Sequence, residues 1–352
     1  MNPLKCIVTG TSGNLGSYMA ELLLSYGFEV VGAEFVEKGS SASHYLNKNP
    51  NFKSVHLDVT DQASIFSLIE KERPDYFFNF AGSAFVPDCW NWPVATMSIN
   101  TISVLNMLDA ILRLCPECRF FNACSSEIFG NCGEYPQTEN TSKHPNSIYG
   151  VSKNSAREII DTYRQKYNLF AVSGIFYNQE STERSPVYVT RKITRGVARI
   201  KKALEKGEAF EPIQLGDLNT EKDWSFAGDG VEAAFLMTQA AVPKDYIISS
   251  GESHTVKEFV EQAFQAAGIE GTWVGEKLNE YYILPNYLAD FAEFASQKLV
   301  TVDSSLVRSK SSPLLGDNSL IKKELNWQPK VNFKELVRQM VAWDIQGLKK
   351  TP

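Results

Sequence analysis

Tyr149 and Lys153 stand four residues apart in Ser147-Ile148-Tyr149-Gly150-Val151-Ser152-Lys153, a stretch that reads as the opening of a helix. Residues four apart on a helix share a face, so the phenol and the ammonium point the same way. A phenol has a reference pKa of about 10 and is a poor base at neutral pH. A cation beside it favours the phenolate and moves that pKa towards working range. Chance places Tyr and Lys four apart on many helices, so the pair needs a setting.

The elements around it supply one. Residues 4–9 form a short apolar run, and Gly10-Thr11-Ser12-Gly13-Asn14-Leu15-Gly16 follows at once. An amphipathic helix over about 17–26 and a second apolar run, 29–34, complete strand, glycine turn, helix and strand. That is the opening βαβ unit of a dinucleotide-binding sheet. Glycines let the backbone turn tightly and approach a pyrophosphate, which meets the N–H groups of the helix start. Glu34 ends the second strand, where a carboxylate can accept both adenosine ribose hydroxyls and would repel a 2′-phosphate; NAD is therefore expected rather than NADP.

The alternation continues through a strand at 54–57, with Asp58 and Val59 just after it to meet the adenine. A helix over 61–71 capped by Asp61 comes next. A buried strand over 75–80 ends in Ala81-Gly82-Ser83, where small residues let a cofactor lie against the backbone from Phe80 onward. A long helix at 96–114, a strand at 119–124, the Tyr149 helix and a strand at 170–176 follow. Strands alternating with helices predict an α/β fold with a Rossmann-like doubly wound parallel sheet, whose ligands bind at the carboxyl ends of the strands. Ser83, Ser125, Glu127 and Asn178 all lie just past such ends.

Beyond Asn178 the pattern loosens. Helices are expected at 187–204, 224–240, 255–267, 320–325 and 333–348, with strand character at 212–216 and 245–249. The expected division is a dinucleotide-binding domain over 1–177, to which segments near 224–250 return, and a smaller α/β substrate-binding domain over most of 178–352.

Bulk composition narrows the function. The 352 residues exceed what one compact core usually holds. A net charge of −6 argues against nucleic acid, which calls for a basic stripe. No uninterrupted apolar run is long enough to span a bilayer, and no leader segment is recognised, so no membrane partner is expected. The six cysteines are scattered. Cys115-Pro116-Glu117-Cys118 has metal or redox spacing without a second pair or suitably spaced His. Reduced thiols in a cytoplasmic protein, and no metal, are the expectation.

With these residues in place, the chain resembles the extended short-chain dehydrogenase/reductase superfamily and, within it, the GDP-mannose 4,6-dehydratases. The resemblance covers nearly the whole chain. It rests on Cys124-Ser125-Ser126-Glu127-Ile128-Phe129-Gly130, on 168–181 around Asn178, and on Val189-Thr190-Arg191-Lys192-Ile193. The stretches at Leu215, at Lys222-Asp223-Trp224, at 300–303 and at 325–329 extend it. What it implies is a lyase acting on a GDP-sugar. Tyr149 takes the proton from the sugar O4 as hydride leaves C4, Lys153 holds the ribose, and Ser125 hydrogen-bonds the O4 region. Glu127 removes the C5 proton and assists water loss from C6. Asn178, Lys192, Lys222 and Arg308 match positions that contact the diphosphate, where an amide and three cations suit a doubly charged group. Ser83, Phe85, Ser126, Val189 and Leu215 match other substrate contacts.

Departures from the family pattern carry their own expectations. Ser125 replaces a Thr and keeps the hydroxyl. Glu34 and the residues after it replace an arginine- and serine-rich run suited to NADP and to tetramer contacts. That favours NAD and a homodimer, with a homotetramer as the alternative. Ser83-Ala84-Phe85-Val86 replaces a more polar Gln-Ser-His-Val next to the hexose, which points to a GDP-hexose or GDP-heptose related to GDP-mannose. Two other readings stand beside the dehydratase: an NAD-dependent nucleotide-sugar C4 epimerase or oxidoreductase, which needs no Glu127, and a non-catalytic NAD- or sugar-nucleotide-binding protein.

Overall fold

The protein was described from a computed structural model, which covers residues 3–35, 46–285, 294, 296–307 and 313–350. Its chain divides into two compact units, one of Met1–Gln179, Ser225–Glu252 and Leu314–Lys330, the other of Glu180–Trp224, Ser253–Pro313 and Val331–Pro352.

The first unit is built on a seven-stranded parallel sheet. Its first six strands are β1 (Lys5–Thr9), β2 (Glu29–Glu34), β3 (Phe52–His56), β4 (Tyr76–Asn79), β5 (Arg119–Ser125) and β6 (Ala171–Phe176). The order across the sheet is Tyr246–Ile248, β6, β5, β4, β1, β2, β3. The order reverses between β1 and β4, so the carboxyl ends of these two strands open a crevice suited to a ligand. The strands read as near-continuous apolar runs because both faces are covered. Val8, Phe78, Phe121 and Val172 face one cluster with Met19 and Leu23, while Ile7, Phe77, Phe120 and Ala171 face another with Leu108, Ile111 and Ile160. Each fully buried Val, Leu, Ile, Met or Phe side chain among them stabilises the fold by about 1.5–3 kcal/mol.

Local signals set the helix ends. Asp61 caps helix Gln62–Glu72 by accepting from Ala63 N, and Ser147 caps helix Ile148–Tyr167 by accepting from Gly150 N. The long helix expected at 96–114 starts earlier and is not uniform. Pro93–Met97 is α-helical, Ser98–Ile102 winds as a π-helix, and Ser103–Leu114 returns to α. Such a π turn often marks a functional site. Pro93–Leu114 has the length and mean composition to cross a bilayer, but Asn100, Asp109 and Arg113 interrupt it and half of it is buried inside the fold, as in the core helix of a globular unit.

Two further differences stand out. Trp224–Phe226 is a strand, and the helix expected from 224 starts at Ala227. A short run of large apolar residues fits either period, and here the strand prevails. In the second unit, Thr272–Val274, Tyr281–Ile283 and Lys298–Val302 join Ile213–Leu215 in a four-stranded sheet. Of these, only the strand near 213 was anticipated. That unit also contains helices Val189–Lys206, Val256–Ala266 and Phe333–Lys350, the second opened by a Thr255/Glu258 capping box.

Candidate active site

The glycine turn connects β1 to helix Asn14–Ser25. Gly10 has φ +72°, the left-handed region that costs glycine little. A Cβ on Gly16 would stand 2.1 Å from the Gly10 carbonyl oxygen, so this position requires glycine for the helix to approach the strand. Gly13 caps the helix with no side chain accepting its first N–H groups. Those donors suit an anion. Asn14 Nδ2 donates to the Gln179 carbonyl at 2.8 Å, and Leu15 packs on the apolar core, so both side chains turn into the protein. Ser12 is half-buried.

Glu34 is the last residue of β2 and only 6% exposed. Asp58 accepts from Thr60 N and Oγ1 at 2.8 and 2.7 Å, which ties the loop after β3; Val59 packs against the core beside it. After β4, the N–H groups of Phe80 and Ala81 both donate to Thr9 Oγ1, at 3.1 and 3.0 Å. The Phe80 ring packs against Phe121 and Phe176, so this segment presents backbone to the crevice. The glycine turn, the N–H groups of the first turn of helix Asn14–Ser25 and the carboxylate at the β2 end together fit a dinucleotide.

Ser125 ends β5 and caps the short 3-10 turn Ser126–Ile128, its Oγ accepting from Glu127 N at 3.3 Å. Ser126 is buried, and Phe129 N donates to its carbonyl at 3.0 Å, which closes the turn and leaves Glu127 half-exposed. Tyr149 and Lys153 lie on the first turns of helix Ile148–Tyr167 and are 8% and 6% exposed. Lys153 Nζ donates to the Ala123 carbonyl at 2.8 Å and lies 6.0 Å from the Tyr149 ring centroid. A Cβ on Gly82 would come within 3.3 Å of Nζ, so the lysine also reaches the loop after β4. Burial lowers the Lys153 ammonium below its usual range, with Cys124 and Cys89 acting the other way. The adjacent Cys124 thiol is pushed up to about 11, chiefly by burial, and is inert at neutral pH.

One organiser was missed from sequence. Asn100, buried within the π turn, accepts from Ser83 N at 2.9 Å and donates to Ser83 O and Ser152 Oγ, each at 3.0 Å. It clasps the loop after β4 to the residue preceding Lys153. The signal was an Asn inside an apolar helix, a poor helix former that calls for a tertiary partner. Phe85, half-buried, sits just before helix Val86–Asn91, and Ser83 Oγ is 3.6 Å from the buried Cys89 Sγ.

The structure thus brings Ser83, Ser125, Glu127, Tyr149 and Lys153 to one end of one sheet, with Asn178 opening a short strand just after β6. The remaining expected contacts belong to the second unit. Val189 starts its long helix, and Lys192 is exposed on it. Asp303, held below the usual carboxylate range mainly by Ser305, also feels Lys192. Leu215 is buried at its strand end, its carbonyl accepting from Asp303 N at 2.8 Å, and Lys222 is half-buried in a strand paired with His254–Thr255. Arg308 lies outside the described residues. All six cysteines are free thiols.

A glycine turn at a β1/β4 switch point, with Ser, Tyr and Lys beside the neighbouring strand end, defines a protein of the extended short-chain dehydrogenase/reductase class. Solved structures agree at the level of fold. UDP-glucose 4-epimerase from Thermotoga maritima, solved with UDP-glucose, superposes with a TM-score of 0.81 at 20% identity, covering 98% of this chain and 100% of its own. dTDP-glucose 4,6-dehydratase from Bacillus anthracis, solved with NAD, gives 0.79 at 19% identity, covering 99% and 98%. Sequence relatives are more specific. The family model described as GDP-mannose 4,6 dehydratase matches residues 7–340. GDP-mannose 4,6 dehydratase of Cricetulus griseus is 37% identical over 98% of this chain and 92% of its own length, and that of Homo sapiens 36% over the same shares. GDP-mannose 4,6-dehydratase of Vibrio cholerae serotype O1 is 34% identical over 98% and 95%. The chain belongs to the GDP-mannose 4,6-dehydratase family.

Proposed function

We propose that this protein is a GDP-sugar 4,6-dehydratase, a hydro-lyase that converts its substrate to the 4-keto-6-deoxy product with tightly held NAD. The observation that carries the reading is the pairing of an acid–base phenol with a carboxylate: Tyr149 on its helix and Glu127 on the turn after β5. An epimerase or simple reductase uses the phenol and lysine but has no role for a carboxylate there.

Each residue has a part. Tyr149 takes the O4 proton as C4 becomes a ketone, with Lys153 as the cation that favours the phenolate. Ser125 donates to the O4 oxygen. The ketone acidifies the C5 proton; Glu127 removes it and passes a proton to the C6 hydroxyl, which leaves as water. Tyr149, protonated in the first step, returns its proton to C5. NAD, when bound, would supply reversible hydride chemistry within the turnover, so that no outside reductant is consumed. Gly10, Ser12, Gly13, Asn14, Leu15 and Gly16 cradle its pyrophosphate, Glu34 takes the ribose, Asp58 and Val59 the adenine, and Phe80 to Ser83 the face beside the nicotinamide.

Asn178, Lys192, Lys222 and Arg308 bind the GDP diphosphate in this reading, with Phe85, Ser126, Val189 and Leu215 completing the substrate contacts. Phe85 and Ala84 make the hexose side less polar than the family pattern, so the proposed substrate is a GDP-hexose or GDP-heptose related to GDP-mannose. The proposed assembly is a homodimer, with a tetramer as the larger alternative. Ile102 and Val151, on the two helices through which the superfamily commonly pairs, are apolar and 47% and 39% exposed. A cytoplasmic location accords with six free thiols.

The test is incubation with a panel of GDP-sugars and no added reductant, followed by mass spectrometry and NMR of the product. Loss of one water with a 4-keto-6-deoxy signature is expected on one sugar. Oxidation or epimerisation without water loss would replace the dehydratase reading by the epimerase or oxidoreductase. Clear superiority of GDP-mannose would remove the related-sugar proposal, and cofactor binding without any turnover would leave a binding protein.

A further inference from the structure

The glycine turn and the end of β2 are fastened together twice. Gly10 N donates to the Ala33 carbonyl at 2.9 Å, and the Thr11 hydroxyl donates to Glu34 Oε1 at 2.6 Å. Thr11 is fully buried and Glu34 nearly so. Among the described residues, no other side chain donates to the Glu34 carboxylate. Gly32 makes the arrangement possible: a Cβ there would stand 2.9 Å from Thr11 Oγ1 and 2.5 Å from the Phe52 ring. Its φ lies outside the left-handed region, so the glycine is needed for room and not for backbone freedom.

We propose that Thr11 is a positioning residue that makes Glu34 discriminate between NAD and NADP, an inference that rests on the cofactor reading above. A carboxylate has two oxygens and rotates about its last bond. Thr11 ties Oε1 and fixes the plane of the group, which leaves Oε2 for the adenosine ribose hydroxyls. Held this way, the carboxylate cannot swing aside from a 2′-phosphate, and like charge meets like charge at close range. Without the hydroxyl, Glu34 is free to turn, the ribose loses an oriented acceptor, and the phosphate meets less repulsion. A hydrogen bond to a charged group is strong enough for its loss to alter selectivity on the order of tenfold.

The experiment is calorimetric titration of full-length protein, stripped of bound nucleotide, with NAD and with NADP. Thr11→Val keeps the shape and removes the donor; Thr11→Ser keeps the hydroxyl. The native protein is expected to bind NAD more tightly. Thr11→Val should lower the ratio of the two affinities roughly tenfold, and Thr11→Ser should keep it near the native value. A Thr11→Val protein that weakens both dinucleotides equally, or retains the native ratio, overturns the proposal, since a purely structural threonine would behave so. If Thr11→Val does not fold, Thr11→Ala removes the donor with less crowding and carries the same two outcomes. Native protein that prefers NADP, or binds neither dinucleotide, refutes the cofactor reading itself, an outcome separate from the role of Thr11.

Discussion

A Cβ on Gly150 would lie 2.5 Å from the Glu127 carbonyl oxygen, so the helix that carries Tyr149 and the turn that carries Glu127 meet backbone to backbone. Neither a long loop nor a flexible side chain intervenes between the two proposed acid–base groups. Gly150 N is meanwhile held by the Ser147 cap at 3.0 Å, which anchors the helix side of the contact. Replacing Gly150 with Val should push the turn outward. Displacements of about 1 Å can cost as much as a hundredfold in rate, so kcat is expected to fall at least tenfold. Dinucleotide affinity, measured by titration, should change little, because the glycine cradle is on another strand.

Glu127→Gln keeps the size of the side chain and removes the base. Turnover to the deoxy product should fall about 10²- to 10⁴-fold, the usual range for a positioned acid–base group. In deuterated water, the residual product of the native enzyme should carry deuterium at C5, while the variant should form ketone without exchange there. Water loss at the native rate in Glu127→Gln would remove the carboxylate from the mechanism.

Lys153→Met should abolish most turnover and also change how stability depends on pH. Burial lowers the Lys153 ammonium below its ordinary 10.5. Below its folded value, the protonated group sits in a site that disfavours charge; as pH rises towards 10.5 the folded state is relieved before the unfolded one. Native stability relative to Lys153→Met should therefore rise with pH in that window and level off above it. Parallel melting curves of the two proteins across alkaline pH check this; a constant difference would count against the buried-charge account.

Ile102→Arg combined with Val151→Arg places two charges on the helices proposed to pair. Light scattering should report a dimer for the native protein and a monomer for the double variant. Both positions are exposed in the single chain, so the substitutions should leave the melting temperature of the monomer nearly unchanged. A double variant that stays dimeric would move the interface elsewhere.

Much of this protein was legible in its sequence. The first six sheet strands could be read from apolar runs separated by helices, because a parallel strand buried on both faces has a local signature. The glycine turn, Glu34 at a strand end and the Tyr149/Lys153 pair are also local, set by spacing within one element and its flanks. Family membership followed from long collinear motifs. Less local features were misread: Trp224–Phe226 took the strand period, and three strands of the second unit went unseen because they pair with one another in succession, with no strand–helix alternation to mark them.

The tertiary structure decided what the named side chains hold. Nothing in a single chain marks Thr11 as the partner of Glu34, 23 residues away, or Asn100 as the clasp on Ser83 and Ser152. The same is true of Ala123 as the acceptor for Lys153, 30 residues on. These contacts join different strands and helices, and periodicity carries no record of which elements become neighbours. The sequence determined the chemistry at hand and the sheet that presents it. Only folding brought Gly150 against Glu127 and so settled that a phenol and a carboxylate stand at the same strand end.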